Sequence, residues 1–552
     1  MIKKLRVLED NFNINKAAAI IAALTFASAF AGFIRDRLFA SKFGAGDLLD
    51  VYYAAFHIPD FIYNLLVLGT LSVAFIPIFT EWLIKDRRQA FRIANTILNV
   101  STVVMALTCL LLFFLSVPLT RLLVPGFSDE KFRQTLMLTR MFLLSPLIFT
   151  VSSVFGSILN SQKRFLVANL APVLYNLGII FGLLYFYPLF GLLGLAYGVI
   201  FGALLHLSVQ VAEAVRLGFT WQWAWDLHNE AVRRFGKLFL PRIFGLDMSQ
   251  ISLLIGSVIG SFLTAGTIAV LNLANNLRAV PVNTFAVSFA VAAFPVLSEQ
   301  FAKRDLRAFV KTLGETINQV LFFMIPMTIF ILLFRAYIVR LAYGAGKFNW
   351  ADTTATFNTL GIFALSLFAQ ALLPVLARAF YARHNTKTPV ITSLSCLVLN
   401  IILAYWFGLH SYTMQISFGR FGYQVATGGA AGIALGFTIA NIVNCVVLFF
   451  LLRSALAREL PVGDASLPEM DGSIALASGK IMAASLAMGL AGYAAIFIFA
   501  PLVNTRTAFG ILVQAGLAAL VSATVFLLCA RLLKLPQAGS FGAFFKKRLT
   551  RS

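Results

Sequence analysis

Apolar runs long enough to cross a bilayer as helices recur from end to end of this chain, separated by polar loops. This pattern removes most fold classes at once. With 60% hydrophobic and 12% charged residues among 552, and a mean hydropathy of +0.87, the chain is more apolar than a soluble protein of its length. Within hydrocarbon every backbone amide and carbonyl must find its partner inside the protein, so only helices or a closed barrel qualify. A barrel needs short alternating strands, and the sequence does not show them. The expectation is an all-α polytopic membrane protein with fourteen transmembrane helices. The first six spans are placed at about 15–40, 48–84, 92–117, 133–159, 166–188 and 190–215. The next six fall at about 236–263, 266–299, 310–334, 354–382, 388–408 and 427–453, and the last two at about 474–501 and 507–533.

Charge gives the orientation. Lys and Arg number 44 against 22 Asp and Glu, a net charge of +22 that by itself would suit a nucleic-acid binder. The basic residues, however, concentrate in alternate loops. They stand before span 1 (Lys3, Lys4, Arg6) and after span 2 (Lys85, Arg87, Arg88, Arg92), span 4 (Lys163, Arg164) and span 6 (Arg216, Arg233, Arg234, Lys237). They recur after span 8 (Lys303, Arg304, Arg307), span 10 (Arg383, Lys387) and span 12 (Arg453, Arg458), and in the tail (Lys546, Lys547, Arg548, Arg551). Of the intervening loops, the one after span 1 holds Lys42 alone, those after spans 5 and 7 hold none, and the one after span 13 holds Arg506 alone. That is the positive-inside pattern: it places both termini in the cytoplasm and argues against a nucleic-acid partner. The cysteines (Cys109, Cys396, Cys445, Cys529) lie far apart within apolar spans, with no metal-ligand spacing, and read as packing residues. Ala27-Ser28-Ala29 resembles a signal-peptidase site, but the apolar run continues past it, so the first helix reads as uncleaved.

The chain also repeats itself. Leu71–Glu81 (LSVAFIPIFTE) and Phe289–Glu299 (FAVAAFPVLSE) share Val73/Val291, Ala74/Ala292, Pro77/Pro295 and Glu81/Glu299 at a constant offset of 218. Gly191–Gly198 (GLLGLAYG) and Gly429–Gly436 (GAAGIALG) match at an offset of 238. Six spans separate the members of each pair, so corresponding helices run the same way and the repeat is parallel rather than inverted. The expected organisation is an N-terminal six-helix lobe (1–220), a C-terminal six-helix lobe (221–458) and an acidic Pro- and Gly-bearing linker (459–473). Two added helices (474–535) and a basic cytoplasmic tail (536–552) follow. Duplication in so apolar a chain points to a transporter.

A charge in mid-membrane costs at least ~2.5–3.5 kcal/mol, so each intramembrane polar group is a candidate functional residue. Span 1 carries Arg35-Asp36-Arg37, either functional or an interfacial cluster reaching for headgroups. Span 2 carries Tyr53, His57, Asp60 and Asn64, spaced to share one helical face that lines a cavity or forms a helix–helix seam. Span 8 carries Asn272, Asn275, Asn276, Arg278 and Asn283; at 100° per residue Asn272, Asn276 and Asn283 fall within about 40° of one another. The offset of 218 carries Asp60 onto Arg278 and His57 onto Asn275, so an Asp60–Arg278 pair between lobes is expected in one conformational state. Asp247 in span 7, with Asn400 of span 11, is a candidate for a coupling cation (Na+ or H+) or a structural hydrogen-bond pair. No other cofactor is implied. The absence of a GxxxxGK[ST] loop argues against direct ATP use.

Several stretches resemble one family. Ile34-Arg35-Asp36-Arg37-Leu38-Phe39-Ala40, Phe43-Gly44-Ala45-Gly46, Asp50, Ala54-Ala55-Phe56-His57-Ile58-Pro59-Asp60 and Gly69-Thr70-Leu71-Ser72-Val73-Ala74-Phe75-Ile76-Pro77 resemble the start of MurJ (MviN) proteins. Phe380-Tyr381-Ala382-Arg383-His384-Asn385-Thr386-Lys387-Thr388-Pro389 is similar to the family's stretch before span 11. The resemblance implies the MOP exporter fold, with two lobes around a cavity that opens alternately to each side. It also implies a bacterial inner-membrane flippase for lipid II, the undecaprenyl-linked peptidoglycan precursor, working beside the peptidoglycan synthesis machinery. Arg35, Asp36 and Asp50 match family positions. Three positions depart: Phe61-Ile62-Tyr63-Asn64 stands where the family has an arginine in span 2, Asn276 where it has one in span 8, and Leu68 where it has an acid. Other readings are a relative of the same fold, an oligosaccharide-lipid flippase or a drug/cation antiporter, for which twelve spans are usual. A polyprenyl-dependent glycosyltransferase with Asp47 and Asp50 as acid and base is the reading from another class.

Overall fold

The computed structural model describes residues 14–67, 71–243, 248–410, 413–418, 421–426, 428–461, 463–504 and 507–538. Its contacts group residues 1–266 and 267–552 as two compact units. The lobe boundary drawn from the repeat lay near residue 220; the helices of 230–260 pack on the first unit in this structure, against helices of 47–66, 71–85, 87–114 and 116–123.

In the first unit the helices are α1 (Ile14–Phe43), α2 (Asp47–Leu66), α3 (Leu71–Lys85), α4 (Arg87–Phe114), α5 (Ser116–Leu123), α6 (Asp129–Phe142) and α7 (Leu144–Ser161). Helix α8 (Phe165–Phe181) passes through a π turn (Gly182–Phe186) into α9 (Tyr187–Phe190), and α10 (Leu192–Arg216), α11 (Glu230–Ile243) and α12 (Met248–Gly260) complete the unit. Asp86 starts α4, accepting from the amides of Arg88 (2.8 Å) and Gln89 (3.2 Å), as an N-cap side chain should. The core lies among α3, α4 and α7, where Phe75 stacks on Phe79 and where Ile93, Ile97 and Ile158 are buried.

The second unit runs α13 (Thr267–Pro281), a π turn (Val282–Ala286), α14 (Val287–Ala302), α15 (Leu306–Tyr343), α16 (Trp350–Ala364), α17 (Leu367–Ala382) and α18 (Lys387–Leu409). An antiparallel hairpin, β1 (Thr413–Phe418) and β2 (Phe421–Ala426), pairs Thr413 with Ala426 and Phe418 with Phe421. Helices α19 (Gly429–Glu459), α20 (Ser466–Phe499) and α21 (Ala508–Leu532) follow. The hairpin is the one regular non-helical element among the described residues, and the sequence reading had not anticipated it.

Among the described residues ten helices are long and apolar enough to span a membrane, or eleven if α16 and α17, bent by 44°, form one span. The first, second and seventh of the fourteen expected spans are not among them; they fall on α1, on α2 with α3, and on α11 with α12. Within the second and seventh expected spans, residues 68–70 and 244–247 lie outside the described residues, and α11 carries Arg233, Arg234 and Lys237.

Each unit shows the duplication in its own packing. Gly191 (φ +56°) precedes α10 and Gly429 (φ +65°) opens α19, both in the left-handed region that favours glycine. Helix α10 then packs on α8 through glycine: a Cβ on Gly198 would lie 2.6 Å from the Gly182 Cα. On α19 a Cβ at Gly436 would lie 2.7 Å from the Ala404 Cα of α18. Small residues at these points let two backbones touch, which is how apolar helices associate where hydrocarbon offers no hydrophobic drive. Glu81–Lys85 (2.7 Å) and Glu299–Lys303 (2.5 Å) are the same i,i+4 pair twice.

A further echo escaped the sequence. Helix α7 ends with Lys163 at φ +60°, its amide bonded to the Asn160 carbonyl and that of Arg164 to Leu159. Helix α17 ends with His384 at φ +57°, with the same bonds to Tyr381 and from Asn385 to Phe380.

The linker is shorter than expected, since α20 begins at Ser466, its amide bonded to Asp464 at 2.9 Å. Three acids of this stretch pair with bases of the same unit: Glu459 with Arg383 (2.6 Å), Asp464 with Arg307 (2.7 Å) and Asp471 with Arg453 (2.6 Å). Helix α20 then packs along α15 and α21.

Candidate functional site

In the first unit a polar cluster forms where α1, α2 and α8 meet. Arg35 donates from Nε (2.9 Å) and Nη2 (2.8 Å) to one Asp36 oxygen, and from Nη1 (3.0 Å) to the Asn176 side-chain oxygen. Asn176 is fixed in turn, donating to the carbonyls of Pro172 (3.1 Å) and Ser28 (3.3 Å). The Arg35 side chain keeps 25% of its accessible surface, so the guanidinium is oriented without being sealed. Tyr52, Tyr53, Tyr175 and Asp60 lie within its electrostatic reach. Asp60 is exposed, and its carbonyl accepts from Asn64 (2.8 Å). His57 Nε2 shares a hydrogen bond of 2.7 Å with Ser257 Oγ on α12. The expected stripe of α2 therefore divides by role: Tyr53 and Asp60 stand with Arg35, Asn64 bonds its own helix, and His57 joins α12.

Asp50 sits apart from this cluster. It is buried, accepts from the Gly266 amide at 2.7 Å, and lies 3.6 Å from Lys131, which pairs with Asp47 at 2.6 Å. These contacts fasten the start of α2 to α6 and to the turn at Gly266. Asp47, offered as half of an acid–base pair, is thus half of an ion pair with a lysine.

In the second unit Arg278 is buried. Its Nη1 donates to Gln370 Oε1 (2.6 Å), Nη2 donates to Asn275 Oδ1, and the guanidinium lies over the rings of Phe363 (5.1 Å) and Phe437 (4.7 Å). Gln370 is oriented through Ser366 (2.8 Å). The two rings meet edge to face (5.4 Å, 88°), and this aromatic corner with forked hydrogen bonds suits a planar guanidinium better than an ammonium. Asn272 bonds back to the Ile268 carbonyl (2.9 Å), Asn276 is half-buried, and Asn283 is exposed in the π turn after Pro281. Asn400 is buried on α18, while Asp247 lies outside the described residues.

Sequence reasoning missed Asn176, Tyr175, Ser257 and Gln370, and also the Ser152–His206–Gln210 network between α7 and α10 (both bonds from Ser152 2.7 Å). Its search weighed charges within spans and passed over most neutral amides. Asn176 and Gln370 stand out on the same physical ground, being amides in otherwise apolar helices.

The sequence profile of the family described as "Lipid II flippase MurJ" matches residues 39–514. A Haemophilus influenzae protein called "Probable lipid II flippase MurJ" is 26% identical over 500 residues, covering 87% of this chain and 92% of its own. One of the same description from Vibrio cholerae is 28% identical over 426 residues, covering 74% and 80%. The solved structure "Lipid II flippase MurJ, inward closed conformation" superposes with a TM-score of 0.71 at 25% identity, over 93% of this chain and 99% of that one. A multidrug resistance MATE transporter of the MOP superfamily, inward-facing, superposes at 0.63 with 18% identity, over 79% of this chain and 96% of that one, a likeness of fold. With the profile covering most of the sequence, the chain belongs to the MurJ lipid II flippase family.

Proposed function

We propose that this chain is a multi-pass protein of the bacterial inner membrane that carries lipid II from the inner to the outer leaflet, with both termini in the cytoplasm. The observation that carries the reading is Arg35, a guanidinium on α1 that is aimed by Asp36 and Asn176 and still partly accessible. A pyrophosphate offers more oxygens than Asp36 does, so an arriving headgroup competes for the guanidinium with charge-assisted bonds. Tyr53, Tyr175 and exposed Asp60 supply further polar surface for sugars and peptide, which hydrocarbon would exclude. The polyprenyl tail remains in lipid or against α20 and α21, and the site is exposed alternately to the two sides. The membrane potential can drive a charged cargo at ~2.3 kcal/mol per charge per 100 mV. A coupling cation (Na+ or H+) belongs to the same proposal, with Asp247 and Asn400 as separate candidate residues; replacing Na+ by choline, with and without a protonophore, tests it.

The decisive experiment depletes the resident flippase in a bacterium, expresses this chain, and measures lipid II accessible at the outer leaflet. Survival with normal accessibility is expected. Good membrane expression without accessible lipid II would transfer the assignment to another MOP-fold cargo.

A further inference from the structure

Residues 217–226, between α10 and α11, form no helix or strand, yet side chains of α4 hold them as a neighbouring strand would. Buried Asn95 donates to the Thr220 carbonyl and accepts from the Gln222 amide, both at 3.0 Å. One turn along α4, buried Asn99 donates to the carbonyls of Gln222 (3.0 Å) and Ala224 (3.1 Å) and accepts from the Trp221 indole (3.2 Å). Arg87 donates to the Leu217 carbonyl at 2.6 Å, and Phe219 is buried against Phe91 and Phe155. Beyond that anchor Thr220 to Trp223 and Trp225 are exposed. Trp221, Trp223 and Trp225 are 61%, 68% and 40% exposed, with neighbouring rings edge to face at 5.8 and 5.5 Å.

Three indoles exposed together on a pinned backbone need a partner. The depth identifies it. The third expected span begins near residue 92, and Asn95 and Asn99 lie only about 5–10 Å along α4 from Arg92 at ~1.5 Å per residue. The indoles they hold thus stand at the edge of the hydrocarbon, the level where tryptophan concentrates. Arg87, Arg88, Arg92 and Arg216 are exposed at the same end of the unit; Arg92 also lies 3.7 Å from Asp226 of the strap and Arg216 3.5 Å from Glu213. We propose that residues 217–226 are an interfacial strap whose indoles enter the headgroup layer of anionic phospholipid, with these arginines on the phosphates. The strap is independent of the cargo.

The test uses the full chain with Trp82, Trp350 and Trp406 changed to Phe, so that emission comes from the remaining three of the six tryptophans. The protein is placed in lipid nanodiscs carrying equal fractions of phosphatidylglycerol or phosphatidylcholine brominated near the head of the acyl chain. Expected is quenching about twofold or more stronger with the brominated anionic lipid, a difference that R88Q with R92Q, both exposed, abolishes while quenching by the zwitterionic lipid persists. Equal quenching by both lipids in the unsubstituted strap would overturn the anionic partner. Quenching by acrylamide with none by either bromolipid would place the indoles in water, free for a protein or sugar, and would overturn the strap altogether.

Discussion

At the scale of single residues, partners decide what a charge does. Arg35 has three donors engaged, and Asn176 alone holds the third, so Asn176→Ala frees the guanidinium to turn. A hydrogen bond to a charged group is worth about 1.5–3 kcal/mol, so roughly a tenfold or greater fall in lipid II translocation is expected at unchanged expression. Arg278→Lys keeps the charge but loses the fork and the guanidinium's contacts with the Phe363 and Phe437 rings; thermal unfolding in detergent should fall by several degrees, where a purely electrostatic role would leave it unchanged. Outside the membrane, hydrogen bonds from Ser466 and then the Arg307 guanidinium pull the Asp464 carboxyl down from 3.8 to about 2. A depressed acid contributes stability above its unfolded value and loses it as pH falls through the folded one. The Asp464 contribution is therefore whole above about pH 4 and gone below about pH 2, and carbon NMR of labelled aspartate should give a midpoint near 2. The resemblance singled out Arg35, Asp36 and Asp50, and the structure bonds Arg35 to Asp36 while holding Asp50 apart. The resemblance could not give Asn176, which lies 141 residues away.

At the scale of elements, glycine spacing governs which helices touch. Gly198→Leu on α10 must displace α8, and Gly436→Leu on α19 must displace α18. Overpacking of this kind costs about 1–3 kcal/mol, and both variants should unfold at lower temperature. Gly472 and Gly479 on α20 face open space, and changing either to Ala should stabilise by about 0.5–1 kcal/mol through helix propensity alone. The Gly191 and Gly429 echo was legible because a left-handed turn and a close backbone approach both demand one residue type. The echo at Lys163 and His384 was not, because hydrogen bonds from main-chain amides to main-chain carbonyls make that turn whichever side chains stand there.

At the scale of the whole molecule, the acidic stretch 459–471 fastens the last two helices to the second unit. The side chains of Asp464 and Arg383 are buried in their pairs, so only the half-exposed Asp471–Arg453 pair falls in the range of about 0.2–1 kcal/mol, where a single reversal should be silent. Reversing Glu459, Asp464 and Asp471 together to Lys sets like charges against Arg383, Arg307 and Arg453. Limited proteolysis should then cut between α19 and α20 far faster than in the parent chain, with added salt narrowing the difference.

The sequence by itself determined the solvent, the helical class, the order of spans and the duplication. Each follows from runs of neighbouring residues, and hydrocarbon enforces it along the chain. Only the tertiary structure decided which polar group meets which. It tied Asp50 to Gly266 and Lys131, His57 to Ser257, Arg278 to Gln370, and the tryptophan segment to Asn95 and Asn99. Those choices join residues far apart in the chain, and they depend on how closely helix backbones approach, which hydropathy does not encode.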